Sequence, residues 1–135
     1  AVDAHWPEGG DNPAKRHDPG DAVVAPCIPD TPGVRTDFAM YYDEISRFDD
    51  YVGQTLNVLR EQGELENTFI LFMSDNGRPF PRCKSFLYDS GIRTPFIIRY
   101  PRLSKPGMTC SSLVSAVDIA PTILQLTGLK NPRCQ

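Results

Sequence analysis

The stretch Thr68-Phe69-Ile70-Leu71-Phe72-Met73 runs directly into Ser74-Asp75-Asn76-Gly77. A short unbroken apolar run bounded by polar turns reads as a strand buried on both faces. Its abrupt polar end places Asp75 and Asn76 at the strand's carboxyl end, where open α/β sheets bind their ligands. Upstream, apolar residues recur every three or four positions at Val34, Phe38, Tyr41, Ile45, Phe48, Val52, Leu56 and Leu59. That spacing predicts one long amphipathic helix. Thr31 is placed to cap its amide end, Pro32 to occupy the first helical position and Gly63 to stop it.

Downstream, residues 78–94 read as a polar loop and Pro95-Phe-Ile-Ile-Arg-Tyr100 as a second strand. Residues 101–112 form another loop. Asp118 is expected to cap a terminal helix, with Pro121 in its first turn, Ile119, Ile123, Leu124 and Leu126 facing inward, and Gly128 ending it. Helix, strand, polar loop, strand and helix make α/β grammar. Residues 1–33, which hold six of the thirteen prolines, read as an irregular Pro/Gly-rich segment lying across a larger body. The expected division is therefore 1–33 irregular, 34–129 folded and 130–135 tail. Two clear strands are few for an independent sheet, so an open apolar edge and self-association are expected.

Composition narrows the function. The 135 residues are 40% hydrophobic and 23% charged, which excludes a disordered chain. A formal charge of -3 supplies no basic stripe for nucleic acid. No apolar run approaches the roughly 20 residues of a membrane span. The start carries no basic, apolar leader pattern. Cys27, Cys83, Cys110 and Cys134 form no C-x-x-C pair, and their pairing and redox compartment stay open.

Asp75 and Asn76 offer a carboxylate and an amide oxygen side by side. Those are hard ligands suited to Ca²⁺, or to Mg²⁺. An ordinary Asn-Gly turn is the alternative. Lys84 lies nine residues on, where an ammonium would hold an anionic group, or simply be solvated. His5, beside Trp6-Pro7, has the chemistry of a general acid.

These segments together resemble the sulfatases, formylglycine-dependent sulfuric ester hydrolases of the alkaline-phosphatase superfamily. The resemblance is carried by Ser74-Asp75-Asn76-Gly77, Lys84, Leu87-Tyr88-Asp89 and Gly91-Ile92-Arg93-Thr94-Pro95. It is carried also by Ile28-Pro29-Asp30-Thr31-Pro32, Gly63-Glu64-Leu65-Glu66-Asn67-Thr68 and Ser115-Ala116-Val117-Asp118 with Pro121-Thr122. It spans Asp30 to Leu129, and Pro79-Phe80-Pro81 is similar to heparan N-sulfatase-like members.

The resemblance implies an alkaline-phosphatase-like α/β sandwich with a mixed, mostly parallel sheet. It implies that Asp75 and Asn76 are calcium ligands, that Lys84 binds sulfate and that His5, in Asp3-Ala4-His5-Trp6-Pro7, is the catalytic histidine. Arg82 becomes a substrate-facing cation. The substrate implied is a sulfated sugar or an aryl sulfate, and the location periplasmic, extracellular or lysosomal. The family's Cys/Ser-x-Pro/Ala-x-Arg signature, whose Cys or Ser becomes formylglycine, does not occur in this chain. The chain thus resembles a sulfatase fragment, expected to be inactive by itself, whose partner would be the missing N-terminal part. The alternatives are a fragment of a phosphate or phosphonate monoester hydrolase, and a non-catalytic binding module derived from a sulfatase.

Overall fold

The computed structural model describes residues 16–103 and 105–129. Segments 1–15, with His5, and 130–135, with Cys134, lie outside the described residues. Contacts divide the chain into two units, 1–104 and 105–135, and each is described by itself.

The first unit is organised by helix α1, Pro32–Glu61. Thr31 is its N-cap, its hydroxyl accepting from the Val34 amide, and Pro32 opens the first turn as expected. Such a cap contributes about 1 kcal/mol. Gly63 follows the helix end with φ of +71°, a conformation that needs no side chain.

The segment before α1 lies along it. The Arg35 guanidinium grips both oxygens of Asp30, each at 2.6 Å, and donates to the carbonyls of Gly20 and Ala22. The Tyr42 hydroxyl accepts from the Val23 amide, and His17 pairs with Asp43 at 2.8 Å. Ala22 is buried beneath these contacts.

Strands β1, Ile70–Met73, and β2, Phe96–Arg99, are each two residues shorter than the sequence pattern predicts. They pair antiparallel, with Met73 opposite Phe96 and Ile70 opposite Arg99. The mostly parallel sheet expected for the family is not formed among the described residues. Burial of β1 on both faces is not met either: Ile70 to Phe72 are half-buried and Met73 is exposed, as are Phe96 to Ile98. A two-stranded sheet has too little neighbouring surface to cover both faces.

Phe48 of α1 meets Phe72 of β1 with ring centroids 5.7 Å apart, and Phe69 meets Tyr100 edge-on at the same separation. Arg99 donates to the Leu65 carbonyl at 2.6 Å and pairs with Glu66. This fastens β2 to the turn that leads into β1. The apolar stripe of α1 is unevenly covered, since Phe38 is buried while Ile45 and Phe48 stay exposed.

The core sits at the amino-terminal half of α1, where Phe38 is 0% exposed and clusters with Ala22, Phe80 and Cys83. Two of these four come from the strand-end loop, which the sequence pattern reads as a polar loop. That loop also contains a short helix, α2, Asp89–Ile92.

In the second unit, helix α3 spans Ile119–Thr127 and ends at Gly128, whose φ is +72°. Asp118 occupies the cap position but makes no side-chain capping bond, contrary to expectation. A 3-10 turn, Ala116–Asp118, runs straight into α3, so Ile119 donates to the Ala116 carbonyl instead. Ile119, Leu124 and Leu126 are half-buried, and Ile123 is exposed. Among the described residues, no helix is long and apolar enough to cross a membrane.

Candidate functional site

Strand β1 delivers the chain into Ser74-Asp75-Asn76-Gly77. The Ser74 amide still donates to Pro95, at 3.3 Å, so the loop leaves and re-enters the sheet at one place. The Ser74 hydroxyl donates to the Asn76 carbonyl at 2.7 Å and tightens the turn. Asp75 is exposed and Asn76 half-buried. Asn76 donates its amide hydrogen to the Gly77 carbonyl at 3.0 Å, which orients the side-chain oxygen as an acceptor.

Gly77 then makes the tightest approach in the loop. Its amide donates to Gly91 at 2.9 Å. A Cβ at Gly77 would lie 2.1 Å from the Ser90 carbonyl oxygen and 2.6 Å from the Gly91 Cα. Gly91 is packed as closely on its other side, where a Cβ would lie 2.1 Å from the Phe86 oxygen and 2.3 Å from the Cys83 oxygen. Gly91 therefore draws the turn that carries Asp75-Asn76 and the segment that carries Lys84 onto one point of backbone.

The intervening residues are held from below. Phe80 stacks on Phe38, centroids 4.1 Å apart, and meets Tyr41 edge-on at 5.4 Å. The Lys84 amide donates to the Arg78 carbonyl at 3.1 Å, and Cys83 is buried. Lys84 itself is exposed, with Arg82 on the other side of Cys83. Arg82 and Ser85 have φ of +62° and +68°, unusual for residues with side chains.

Of the site residues expected from sequence, Asp75, Asn76, Arg82 and Lys84 fall in this one closed loop. His5 lies outside the described residues. His17 is engaged with Asp43 at the start of the segment along α1. Sequence reasoning missed Phe80, Cys83 and Gly91 as the residues that shape the loop. The signal available was an aromatic between two prolines, which is a poor solvent-facing residue.

The oxygen donors Asp75 and Asn76 suit a hard divalent cation in chemistry but not in number. Among the described residues, no group of three or more His, Cys, Asp or Glu side chains converges on a metal position. The loop thus brings two oxygen donors to the end of β1.

A family model described as Sulfatase matches residues 5–129. This chain belongs to the sulfatase family. Among curated sulfatases, an ulvan-active sulfatase of Formosa agariphila is 42% identical over 107 residues, covering 79% of this chain and 18% of that protein. The human N-sulphoglucosamine sulphohydrolase is 38% identical over 117 residues, covering 86% of this chain and 23% of that enzyme. A solved sulfatase-like structure, described as a complex with its substrate D-glucosamine-2-N,6-O-disulfate, superposes with a TM-score of 0.65 at 32% identity. It covers 78% of this chain and 23% of its own. The chain therefore spans about a fifth of the length of the curated sulfatases it matches.

Proposed function

We propose that this chain is the part of a sulfatase that carries the second half of the calcium and sulfate site. The whole protein would hydrolyse sulfate esters or N-sulfo groups of sulfated sugars. The observation that carries this reading is the closure on Gly91, which joins the Asp75-Asn76 turn and the Lys84 segment in one loop. Support comes from family membership and from relatives named for sulfated sugars.

In the whole protein, Asp75 and Asn76 would hold the calcium ion. Bound there, the ion would supply positive charge that stabilises a sulfate group. Lys84 would bind a sulfate oxygen and steady the charge that develops on it. His5 would give a proton to the leaving oxygen or nitrogen. The formylglycine nucleophile would belong to the missing N-terminal part, which would also complete the mixed, mostly parallel sheet beside β1. Periplasmic, extracellular or lysosomal residence follows from the same reading.

The test is sulfate release by the full-length protein with its formylglycine installed. Glucosamine N-sulfate, glucosamine 6-sulfate, an aryl sulfate and the matching phosphate monoesters are the substrates. Sulfate release that fails after calcium chelation and in Lys84→Ala is expected. Faster turnover of the phosphate monoesters would move the assignment to phosphorus chemistry, and no turnover of either would leave a binding module.

A further inference from the structure

Lys84 does not stand alone on its loop. Arg82 and Ser85 hold the left-handed backbone conformation and bracket Cys83-Lys84. The Ser90 hydroxyl donates to the Arg82 carbonyl at 2.8 Å and fixes the first of these turns. Because Cys83 turns into the core, the residues on either side of it, Arg82 and Lys84, both stay exposed. Unusual backbone that the surrounding contacts enforce is a mark of functional sites.

The Arg82 guanidinium lies 5.9 Å from the centroid of the Tyr88 ring. Phe86 stacks beside Tyr88, with centroids 6.1 Å apart and planes 25° from parallel. Among the described residues neither ring is buried: Phe86 is 52% and Tyr88 54% exposed. Among the described residues, no carboxylate forms an ion pair with Arg82. A guanidinium resting on a ring keeps its edge donors available for a planar or tetrahedral oxyanion. Adjacent exposed aromatic faces match the C–H face of a pyranose in size and polarity.

We propose that Arg82, Phe86 and Tyr88 form a subsite for a second acidic group on the sugar, beside the sulfate that Lys84 would hold. The occupant is a pyranose that carries two anionic substituents. Its ring rests on Phe86 and Tyr88, and its second sulfate or carboxylate is bound by Arg82. The inference rests on the sulfatase reading for the role of Lys84. It adds a source of selectivity for doubly charged sugars.

Calorimetric binding to the full-length protein, with glucosamine bearing one sulfate or two as the probe, tests it. Arg82→Gln is expected to weaken the doubly sulfated sugar about tenfold more than the singly sulfated one, as loss of a charge-assisted contact does. Arg82→Lys recovers much of that difference, and Phe86→Ala weakens both sugars. Equal weakening of the two by Arg82→Gln, or no binding of the doubly sulfated sugar by the wild type, overturns the proposal. So does a Phe86→Ala protein with a lowered melting temperature and unaltered affinities, because the rings would then be covered by the rest of the protein. Failure of the sulfatase reading looks different: the wild type releases no sulfate, while the Arg82-dependent preference in binding remains.

Discussion

Phe38 of α1 and Phe80 of the strand-end loop stack with their planes 9° from parallel and their centroids 4.1 Å apart. The loop that carries Lys84 is thereby seated on Phe38, the most buried side chain among the described residues. Phe80→Ala removes that seat. It should lower stability by about 3 kcal/mol, the usual cost of a truncated buried Phe. The denaturant midpoint of the purified chain reads this. A change below about 1 kcal/mol would mean that the loop is not seated on α1 in solution.

Gly91 should tolerate no side chain. Gly91→Ala places a methyl within 2.3 Å of two carbonyl oxygens, and backbone cannot yield as a flexible side chain does. The expected loss is about 1–3 kcal/mol, with the loop opened. Gly77→Ala should behave alike, whereas Gly53→Ala, on the open surface of α1, should be neutral or stabilising. Chemical denaturation of the three variants side by side distinguishes a packed loop from a general intolerance of substitution.

The calcium reading makes a demand on the full-length protein. Asp75→Ala should weaken calcium binding and cut sulfate release by about 100-fold or more, with Lys84→Ala losing a similar factor in kcat. Added calcium should partly restore Asp75→Ala and leave Lys84→Ala unchanged. Rescue of both by calcium would remove Lys84 from the sulfate.

Much of this arrangement was legible in the sequence, for definable reasons. The period of α1 and its Thr31-Pro32 start are local signals, and local signals survive in the fold. The position of Asp75-Asn76 at the end of β1 followed from one abrupt change in polarity. The roles of Phe80 and Cys83 were not legible, because a residue pair from a loop enters the core only through long-range packing. Strand burial was overread for a related reason. Apolar composition tells what a strand could bury, while the described residues supply only one other strand beside it. Gly91 stood out in the sequence only as part of the Gly91-Ile92-Arg93-Thr94-Pro95 run, and only its neighbours in space reveal a position with no room for a methyl group.

Acid should loosen the segment before α1. The Arg35 guanidinium, hydrogen-bonded to Asp30, holds that carboxyl below its usual value of 3.8. A depressed carboxylate contributes stability above its unfolded value and loses it as pH falls through the folded one. The pair is solvent-exposed, so the effect is small. Urea unfolding followed from pH 6 to pH 2.5 should show a decline below about pH 4 that is shallower in Asp30→Asn. Identical profiles for the two proteins would show that the contact does not persist in solution.

Thiol labelling separates the cysteines. Hydrogen bonds from Ser112 lower the Cys110 thiol below the ordinary range, and the residue is exposed. Cys110 should therefore alkylate readily near neutral pH, more slowly in Ser112→Ala, while Cys83 reacts only on unfolding. Mass spectrometry after timed alkylation assigns each site. Early modification of Cys83 would contradict its place beneath the loop.

The antiparallel pairing of β1 with β2 sets Met73 opposite Phe96, so twenty-two intervening residues begin and end at the same rung of one ladder. Such an excursion is a cassette. Its exposed positions, apart from the buried Phe80 and Cys83 and the closely packed Gly77 and Gly91, can change between the two clamped ends without moving the strands, because the closure entropy of a longer loop rises only weakly with length. The exposed residues around Lys84 can therefore vary while the turn that carries Asp75 and Asn76 stays where the strand leaves it.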